Sequence, residues 1–174
     1  MKGRLIVLDH HKSREAAALF VDGILEDLLI DPDLPRPGTV YRAIAERPLK
    51  GQGGMFLKTP DGPAFLRQVK GLAPGQTLKV QVNGYAEAGK AIPVTQKLLF
   101  KSRYVIVTPD APGINISRSI RDETERDRLL EIGHDLGEVE RFGLIFRSCC
   151  ADADGEAIAR DASAMLDLAR SVIE

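Results

Sequence analysis

Two phenylalanines, Phe56 and Phe65, stand on either side of a short turn-like stretch in the most basic part of the chain. The runs that contain them, GMFL and AFLRQV, are typical of β-strands, and the Pro-Asp-Gly sequence between them is typical of a turn. Neighbouring strands can carry both rings on one face. Such rings stack on the bases of single-stranded nucleic acid, and each stacked base contributes about 1–3 kcal/mol to the free energy of binding.

Basic side chains surround this pair in the sequence, and basic side chains are the usual partners of phosphate groups. They are Lys58, Arg67, Lys70 and Lys90, and Tyr41 is a third candidate for stacking. The alternative is that both phenylalanines belong to the core of a domain poor in aromatic residues, which make up only 5% of the chain. The spacing alone does not choose between these interpretations.

The charge of the chain is distributed unevenly, although the net charge is only −1. Residues 36–104 carry 12 lysines and arginines against 3 acidic residues. Residues 1–35 carry 4 against 7, and residues 105–174 carry 8 against 15. This asymmetry predicts a polyanion-binding module in the middle of the chain, and the alternative is a basic face that pairs with the acidic C-terminal part.

A second candidate for anion binding is Arg147 with Ser148, which follow a strand-like run and precede a helix predicted to begin near Asp154. A guanidinium group matches phosphate oxygens, and a hydroxyl with backbone N–H groups near a helix start adds further donors. The alternative is a surface ion pair between Arg147 and Asp152 or Asp154.

No arrangement typical of catalysis or of metal binding is recognisable. Acidic residues cluster at predicted helix starts and faces, as in DETERD at 122–127, which is typical of solvated surface. The three histidines lack cysteine or serine partners at telling positions. Cys149 and Cys150 are too few for a zinc site or a disulfide framework and are expected to be small packing residues. The sequence therefore predicts no catalytic residue and no metal ligand.

The elements that must position these residues follow from the pattern of apolar residues, which make up 44% of the 174 positions. Strands are predicted at 4–9, 17–22 and 25–30, and an Asp-Gly turn joins the last two into a hairpin. A proline-rich boundary follows the hairpin. The strand-like runs between 39 and 95 predict five short strands, which fit a small closed barrel of the OB type.

The C-terminal part shows a different pattern. Strands are predicted at 103–109 and 143–147, and one helix is predicted from the apolar stripe of Leu129, Ile132 and Leu136. The last helix is predicted to follow Asp154.

The predicted fold class is therefore α+β, in three segments. They are a β-hairpin segment at 1–36, a five-stranded OB-type barrel at 38–95 and an α+β segment with two helices at 97–174. No apolar run approaches the ~18 residues of a membrane span, and the N-terminus lacks a signal peptide. Together with the cysteine content, this predicts a cytoplasmic protein.

Seven short stretches, in order along the chain, resemble the N-terminal part of the ribonuclease E/G family of bacterial endoribonucleases. They are MKGRLIVLD…ALFVDG, VYRAIAE, the FL…AFL pair, LAPGQTLKVQV, GKAIPVT, YVIVTPDAPGINISRSI and GLIFRS. The resemblance implies that the barrel is an RNA-binding OB domain of the ribosomal-protein kind. It also implies that 97–174 senses 5′-monophosphorylated RNA ends, and that the first strands are part of an RNase H-like subdomain completed further along in full-length enzymes.

The resemblance also implies roles for individual residues of the barrel. Phe56 and Phe65 match the family's RNA-contacting aromatic residues, and Lys90 matches a family lysine. The turn between the two phenylalanines departs from the family's YGAERHG pattern.

In the last segment, Arg147 and Ser148 match the family's arginine–threonine pair that holds a 5′-phosphate. Ile106 matches a valine that lines the same pocket, and Ser102 matches a pocket glycine. The additional side chain of Ser102 is expected either to crowd the pocket or to add a donor.

Single-stranded RNA is thus the expected partner, bound by a chain that senses a 5′-monophosphate. The family's Mg²⁺ and its catalytic aspartate pair lie C-terminal to every matched stretch, so no cofactor is expected in this chain. Two alternatives stay open: a portion of an active endoribonuclease that continues beyond Glu174, and a degenerate relative that binds proteins. The first 35 residues are expected to expose part of their apolar faces.

Overall fold

The computed structural model describes residues 2–49, 51, 53–69, 71–137 and 140–174. The chain divides into two compact units, Met1–Pro35 and Arg36–Glu174. Lys70, which the sequence suggests as a phosphate contact, lies outside the described residues. No helix in the described part of the chain is long and apolar enough to cross a membrane.

The first unit is an antiparallel sheet in the order β1 (Arg4–His11), β2 (Arg14–Val21) and β3 (Ile24–Ile30). Both connections are two-residue turns with positive φ at each central residue, the geometry that matches the twist of a hairpin. The sheet exposes large apolar side chains, with Ile6 68% and Leu8 77% exposed. The expected exposure of apolar surface in this segment is confirmed.

Five strands form a closed barrel at the start of the second unit, as the sequence predicts. They are β4 (Val40–Leu49), β5 (Gly54–Thr59), β6 (Gly62–Leu66), β7 (Thr77–Val82) and β8 (Ile92–Thr95). Around the barrel the order is β4-β5-β6-β8-β7, and the antiparallel pairing of β4 with β7 closes it.

Among the residues that the structure describes, eleven are buried in the barrel core, and none of these is a phenylalanine. They are Tyr41, Ala43, Ala45, Met55, Leu57, Ala64, Leu66, Val80, Val82, Ile92 and Val94. Because successive side chains of a strand alternate between faces, the residues between these core positions point outward.

The rest of the second unit is a four-stranded sheet covered by two helices. Its elements are β9 (Phe100–Lys101), β10 (Val105–Thr108), β11 (Gly113–Ile116), α1 (Glu123–Asp135), β12 (Gly143–Phe146) and α2 (Gly155–Ile173), with a 3₁₀ turn at Ser148–Cys150. The sheet order is β11-β12-β10-β9. Strand β11 pairs with β12 in parallel, and the pairings of β12 with β10 and of β10 with β9 are antiparallel. The predicted α+β fold class is confirmed.

Both helices begin where the acidic residues predict. The side chains of Asp122 and Asp154 each accept a hydrogen bond at 2.9 Å from a backbone N–H in the first turn of α1 and α2, respectively. The helices pack on the sheet face that carries Val105, Val107 and Phe146.

Buried polar contacts join the barrel to the part of the second unit that contains the four-stranded sheet and the two helices. The Gln81 side chain donates to the carbonyl oxygens of Gly38 and Leu99, each at 3.0 Å, and accepts the Leu99 N–H at 2.9 Å. Lys79 Nζ donates to the Ile173 carbonyl oxygen at 2.5 Å. Lys79, one of the basic residues of 36–104 (the basic segment), therefore provides a hydrogen-bond donor for a carbonyl group at the C-terminus of α2.

Candidate functional site

Four side chains form a row across the outer face of the barrel. Arg47 of β4 is in register with Phe56 of β5, Phe56 with Phe65 of β6, and Phe65 with Pro93 of β8. The neighbours of both phenylalanines along their strands are core residues, so strand alternation places the two rings outside the barrel. The interpretation of this pair as barrel core is therefore wrong.

The two rings touch without lying parallel. Their centroids are 5.1 Å apart and their planes make an angle of 51°. The guanidinium carbon of Arg47 lies 4.9 Å from the centroid of Phe56, in cation–π contact. Both rings are half-buried, so part of each ring remains open to a ligand.

A glycine makes room for this arrangement. A Cβ atom on Gly54 would lie 2.3 Å from Cζ of Phe65, closer than real Cβ contacts allow. The absence of a side chain at Gly54 therefore lets the Phe65 ring extend over β5.

An open groove follows the row, with two adjoining compartments of about 380 and 420 Å³. The first is lined by Phe56, Phe65, Arg67, Tyr85 and Lys90, among others. The second is lined by Arg47, Phe56 and Lys90, among others. The two compartments together are the aromatic groove, and Phe56 and Lys90 belong to both.

The structure thus brings four of the predicted residues together: Phe56, Phe65, Arg67 and Lys90. Lys58 is exposed on the same outer face, two residues beyond Phe56, and lies outside the lining of the groove.

Tyr41 requires a correction, because it lies in the barrel core and is only 7% exposed. Its hydroxyl donates to Asp61 Oδ2 at 2.5 Å. Burial, followed by the hydrogen bond to the Asp61 carboxylate and its charge, raises the pKa of Tyr41 to about 12. A ring enclosed in this way offers no face for stacking.

Lys90 already has a partner within the groove. Its ammonium donates to Glu87 Oε2 at 2.5 Å. This hydrogen bond and the charge of Lys90, together with the charge of Arg67, hold the pKa of Glu87 below its usual value. Glu87 therefore stays ionised near neutral pH and competes with an incoming phosphate for Lys90.

Sequence reasoning missed Arg47, Tyr85 and Glu87 as groove residues. The register of Arg47 depends on a β-bulge between Ala45 and Arg47, which has no sequence signal strong enough to locate it. Tyr85 and Glu87 lie on the loop between β7 and β8, and only closure of the barrel brings that loop to β6.

The second candidate site lies where β12 ends and β10 begins, on the two central strands of the four-stranded sheet. Ile106 and Ile145 are in register on the face that the helices leave uncovered. The exposed Arg147 guanidinium donates to the carbonyl oxygen of Ser102, and Ser148 is exposed beside it. The structure therefore brings Arg147, Ser148 and Ser102 together, with Ile106 on the adjacent strand.

The contacts of Arg147 and Ser102 differ from the sequence-based alternatives. In the described part of the chain, Arg147 forms no ion pair with Asp152 or Asp154, so that alternative is wrong. The Ser102 hydroxyl donates to Asp161 Oδ2 at 2.5 Å, and the same oxygen accepts the Tyr104 N–H at 3.0 Å. The hydroxyl proton of Ser102 is therefore engaged by the Asp161 carboxylate. Sequence reasoning did not indicate a role for Asp161.

The two cysteines have different environments. Cys150 is buried, with its Sγ 3.2 Å from the Tyr104 carbonyl oxygen, and burial is the main cause that raises its pKa to about 11. Cys149 is exposed, so the expectation of an interior residue is wrong for it.

Metal-binding side chains are dispersed. Among the described residues, no three histidine, cysteine, aspartate or glutamate side chains come together in a way that could hold a metal ion.

Comparison with known proteins finds similarities to ribonucleases. Residues 100–174 match the family model described as the Ribonuclease E/G family. The chain is 27% identical to Ribonuclease E of Nostoc sp. and 28% identical to Ribonuclease G of Escherichia coli, in each case over 92% of its length. It spans 25% of the first relative and 38% of the second.

Proposed function

We propose that this chain, which is related to the ribonuclease E/G family over nearly its whole length, binds single-stranded RNA in the aromatic groove. A monophosphorylated 5′ end of the same class of RNA binds at Arg147 and Ser148. The chain thereby supplies the RNA-binding and end-sensing portion of a ribonuclease E/G-like protein. A cytoplasmic location for this activity is part of the same proposal, and the RNA ligand supports it.

The outward-facing pair of Phe56 and Phe65 is the observation that carries the groove proposal. Two half-exposed rings at 5.1 Å provide a stacking surface that a duplex, with its base faces covered, cannot use. Arg67 and Lys90 line the same compartment and provide positive charge for phosphates. The names of the relatives support RNA as the nucleic acid.

The exposed guanidinium of Arg147 supports the end-sensing proposal. Its bond to the Ser102 carbonyl oxygen orients the group while leaving further donors for a phosphate. Ser148 adds a hydroxyl, and Ile106 provides an apolar wall on the neighbouring strand. Ser102 acts through its carbonyl oxygen in this proposal, because its hydroxyl is bound to Asp161.

Fluorescence anisotropy with RNAs labelled at the 3′ end tests both parts. The double variant Phe56→Ala/Phe65→Ala should lose roughly 10-fold or more in affinity for every single-stranded RNA, since two stacking contacts are removed. Arg147→Ala should weaken binding of the 5′-monophosphate form and leave the 5′-hydroxyl form unchanged. Arg121→Ala, which removes an exposed arginine after β11, is the charge-matched control.

Two results would contradict the proposal. Equal affinity of wild type for the two 5′ ends would eliminate the end pocket. Unchanged binding by the double phenylalanine variant would eliminate the groove. Incubation with Mg²⁺ in the same buffer, scored for cleavage, tests the alternative that this chain is itself an endoribonuclease, and loss of cleavage on chelation would establish it.

A further inference from the structure

The aromatic groove has more structure than one stacking surface, and we infer that it holds two consecutive nucleobases in separate subsites. Tyr85 completes the first subsite and Arg47 completes the second. This inference rests on the proposed binding of single-stranded RNA and deepens it.

The angle between the two phenylalanines is the first reason for separate subsites. A base stacks with its plane parallel to a ring, and the Phe56 and Phe65 planes differ by 51°. One base therefore cannot stack on both rings at once. Two neighbouring bases can do so if they are unstacked from each other, as single-stranded RNA allows.

Tyr85 is the second reason. It is 49% exposed and lines the first compartment together with Phe65. Its loop is held beside Pro93, because the Asn83 N–H donates to the Pro93 carbonyl oxygen at 3.1 Å. Pro93 is itself in register with Phe65, so the loop delivers an aromatic side chain to the end of the row. A base in this compartment has a ring from Phe65 and a ring from Tyr85.

Arg47 gives the second compartment a comparable surface. Its guanidinium group is exposed and lies over Phe56 at 4.9 Å from the ring centroid. A guanidinium plane stacks on bases as aromatic rings do, and its charge also attracts the phosphate backbone. Arg47 and Phe56 both line this compartment.

Lys90 connects the two subsites. It lines both compartments, as does Phe56, and its ammonium group is exposed. The phosphate that links two consecutive nucleotides has to pass between their bases. Lys90 is therefore positioned for that linking phosphate, after exchanging its contact with Glu87.

The test compares two RNA pentamers in which most positions are abasic. One carries a single uracil at the centre, and the other carries two adjacent uracils. Since a single base can occupy either subsite, the measured quantity is the gain in affinity from the second base. For wild type this gain should be roughly 5- to 150-fold, the range that corresponds to one base stack.

Matched variants assign the gain to the two residues. Tyr85→Ala and Arg47→Lys should each reduce the gain at least about threefold, because each leaves one subsite without its second stacking surface. Tyr85→Phe keeps the ring and should keep the gain. Leu168→Ala, which changes an exposed apolar residue on α2, should behave as wild type.

The outcomes separate this inference from the proposed function. A wild-type protein that gains nothing from the second base, or a Tyr85→Ala variant with an undiminished gain, overturns the two-subsite arrangement. RNA binding that still depends on Phe56 and Phe65 in that case leaves the proposed function in place. If wild type binds neither of these pentamers and also fails to bind a uridine pentamer with a base at every position, the proposed function itself is overturned.

Discussion

The hydroxyl of Ser102 donates a hydrogen bond to Asp161, with 2.5 Å between Ser102 Oγ and Asp161 Oδ2. Because the Arg147 guanidinium binds the carbonyl oxygen of the same serine, a carboxylate stands near the proposed phosphate site. A negative charge at this place lowers affinity for an anion while it fixes the loop that orients Arg147.

Asp161→Asn removes that charge and retains an oxygen that can accept the Ser102 and Tyr104 hydrogen bonds. We expect affinity for 5′-monophosphate RNA to rise about two- to fivefold, the effect of a partly exposed charge. Affinity for 5′-hydroxyl RNA should change less. Asp167→Asn, on an exposed part of the same helix, is the control. An equal rise for both RNAs would show only a general effect of charge.

Gly54→Ala should reduce RNA affinity although it replaces no side chain of the aromatic groove. The added Cβ would lie 2.3 Å from Cζ of Phe65, so the ring has to move away from Phe56. Overpacking of this kind costs about 1–3 kcal/mol in the free energy of unfolding. Thermal unfolding and anisotropy measure the two effects.

Gly84→Ala provides the matched control, since its Cβ would lie 3.7 Å from Pro93, at ordinary contact distance. It should leave affinity and stability nearly unchanged. If Gly54→Ala binds RNA as wild type does, the position of Phe65 does not matter for binding.

Lys90→Gln should reduce the salt dependence of RNA binding. Each lysine–phosphate contact with a single strand contributes about −0.7 to the slope of log affinity against log salt concentration. The variant should therefore have a slope smaller by about that amount. Titrations at several salt concentrations measure it.

Lys79→Gln is the comparison for that experiment, because Lys79 belongs to the same basic segment but donates to the Ile173 carbonyl oxygen at 2.5 Å. This variant should lose stability and keep the wild-type slope. A reduced slope in both variants would mean that the basic segment attracts RNA only through its overall charge.

Tyr41→Phe should alter stability at high pH and leave RNA affinity unchanged. The pKa of Tyr41 is raised from 10.0 to about 12 in the folded chain by burial and by Asp61. Between these values the unfolded chain loses the phenol proton while the folded chain keeps it, so wild type loses stability as the pH rises.

Tyr41→Phe has no phenol proton, so its free energy of unfolding should fall less than that of wild type as the pH rises. Urea unfolding of both proteins at pH 9 and pH 11 measures the difference. Weaker RNA binding by Tyr41→Phe at neutral pH would contradict this prediction and indicate that Tyr41 takes part in RNA binding.

Local patterns were sufficient for most of the fold. Strand-like runs separated by turns predicted the barrel strands, and acidic residues before two apolar stripes predicted α1 and α2. The structure shows that Asp122 and Asp154 are the capping residues. The short strands β9 and β11 were not predicted. A two-residue strand such as Phe100–Lys101 has no period of its own and exists because β10 lies next to it.

The sequence by itself determined the α+β class, the closed barrel, the concentration of positive charge in its segment and the candidate pairs Phe56–Phe65 and Arg147–Ser148. Tertiary structure decided which aromatic rings face outward, so that Tyr41 is enclosed while Tyr85 reaches the groove. It also decided the contacts of Lys90 with Glu87 and of Ser102 with Asp161. The physical reason is that composition and periodicity act over a few neighbouring residues, whereas register, barrel closure and helix packing join side chains that are far apart in the chain.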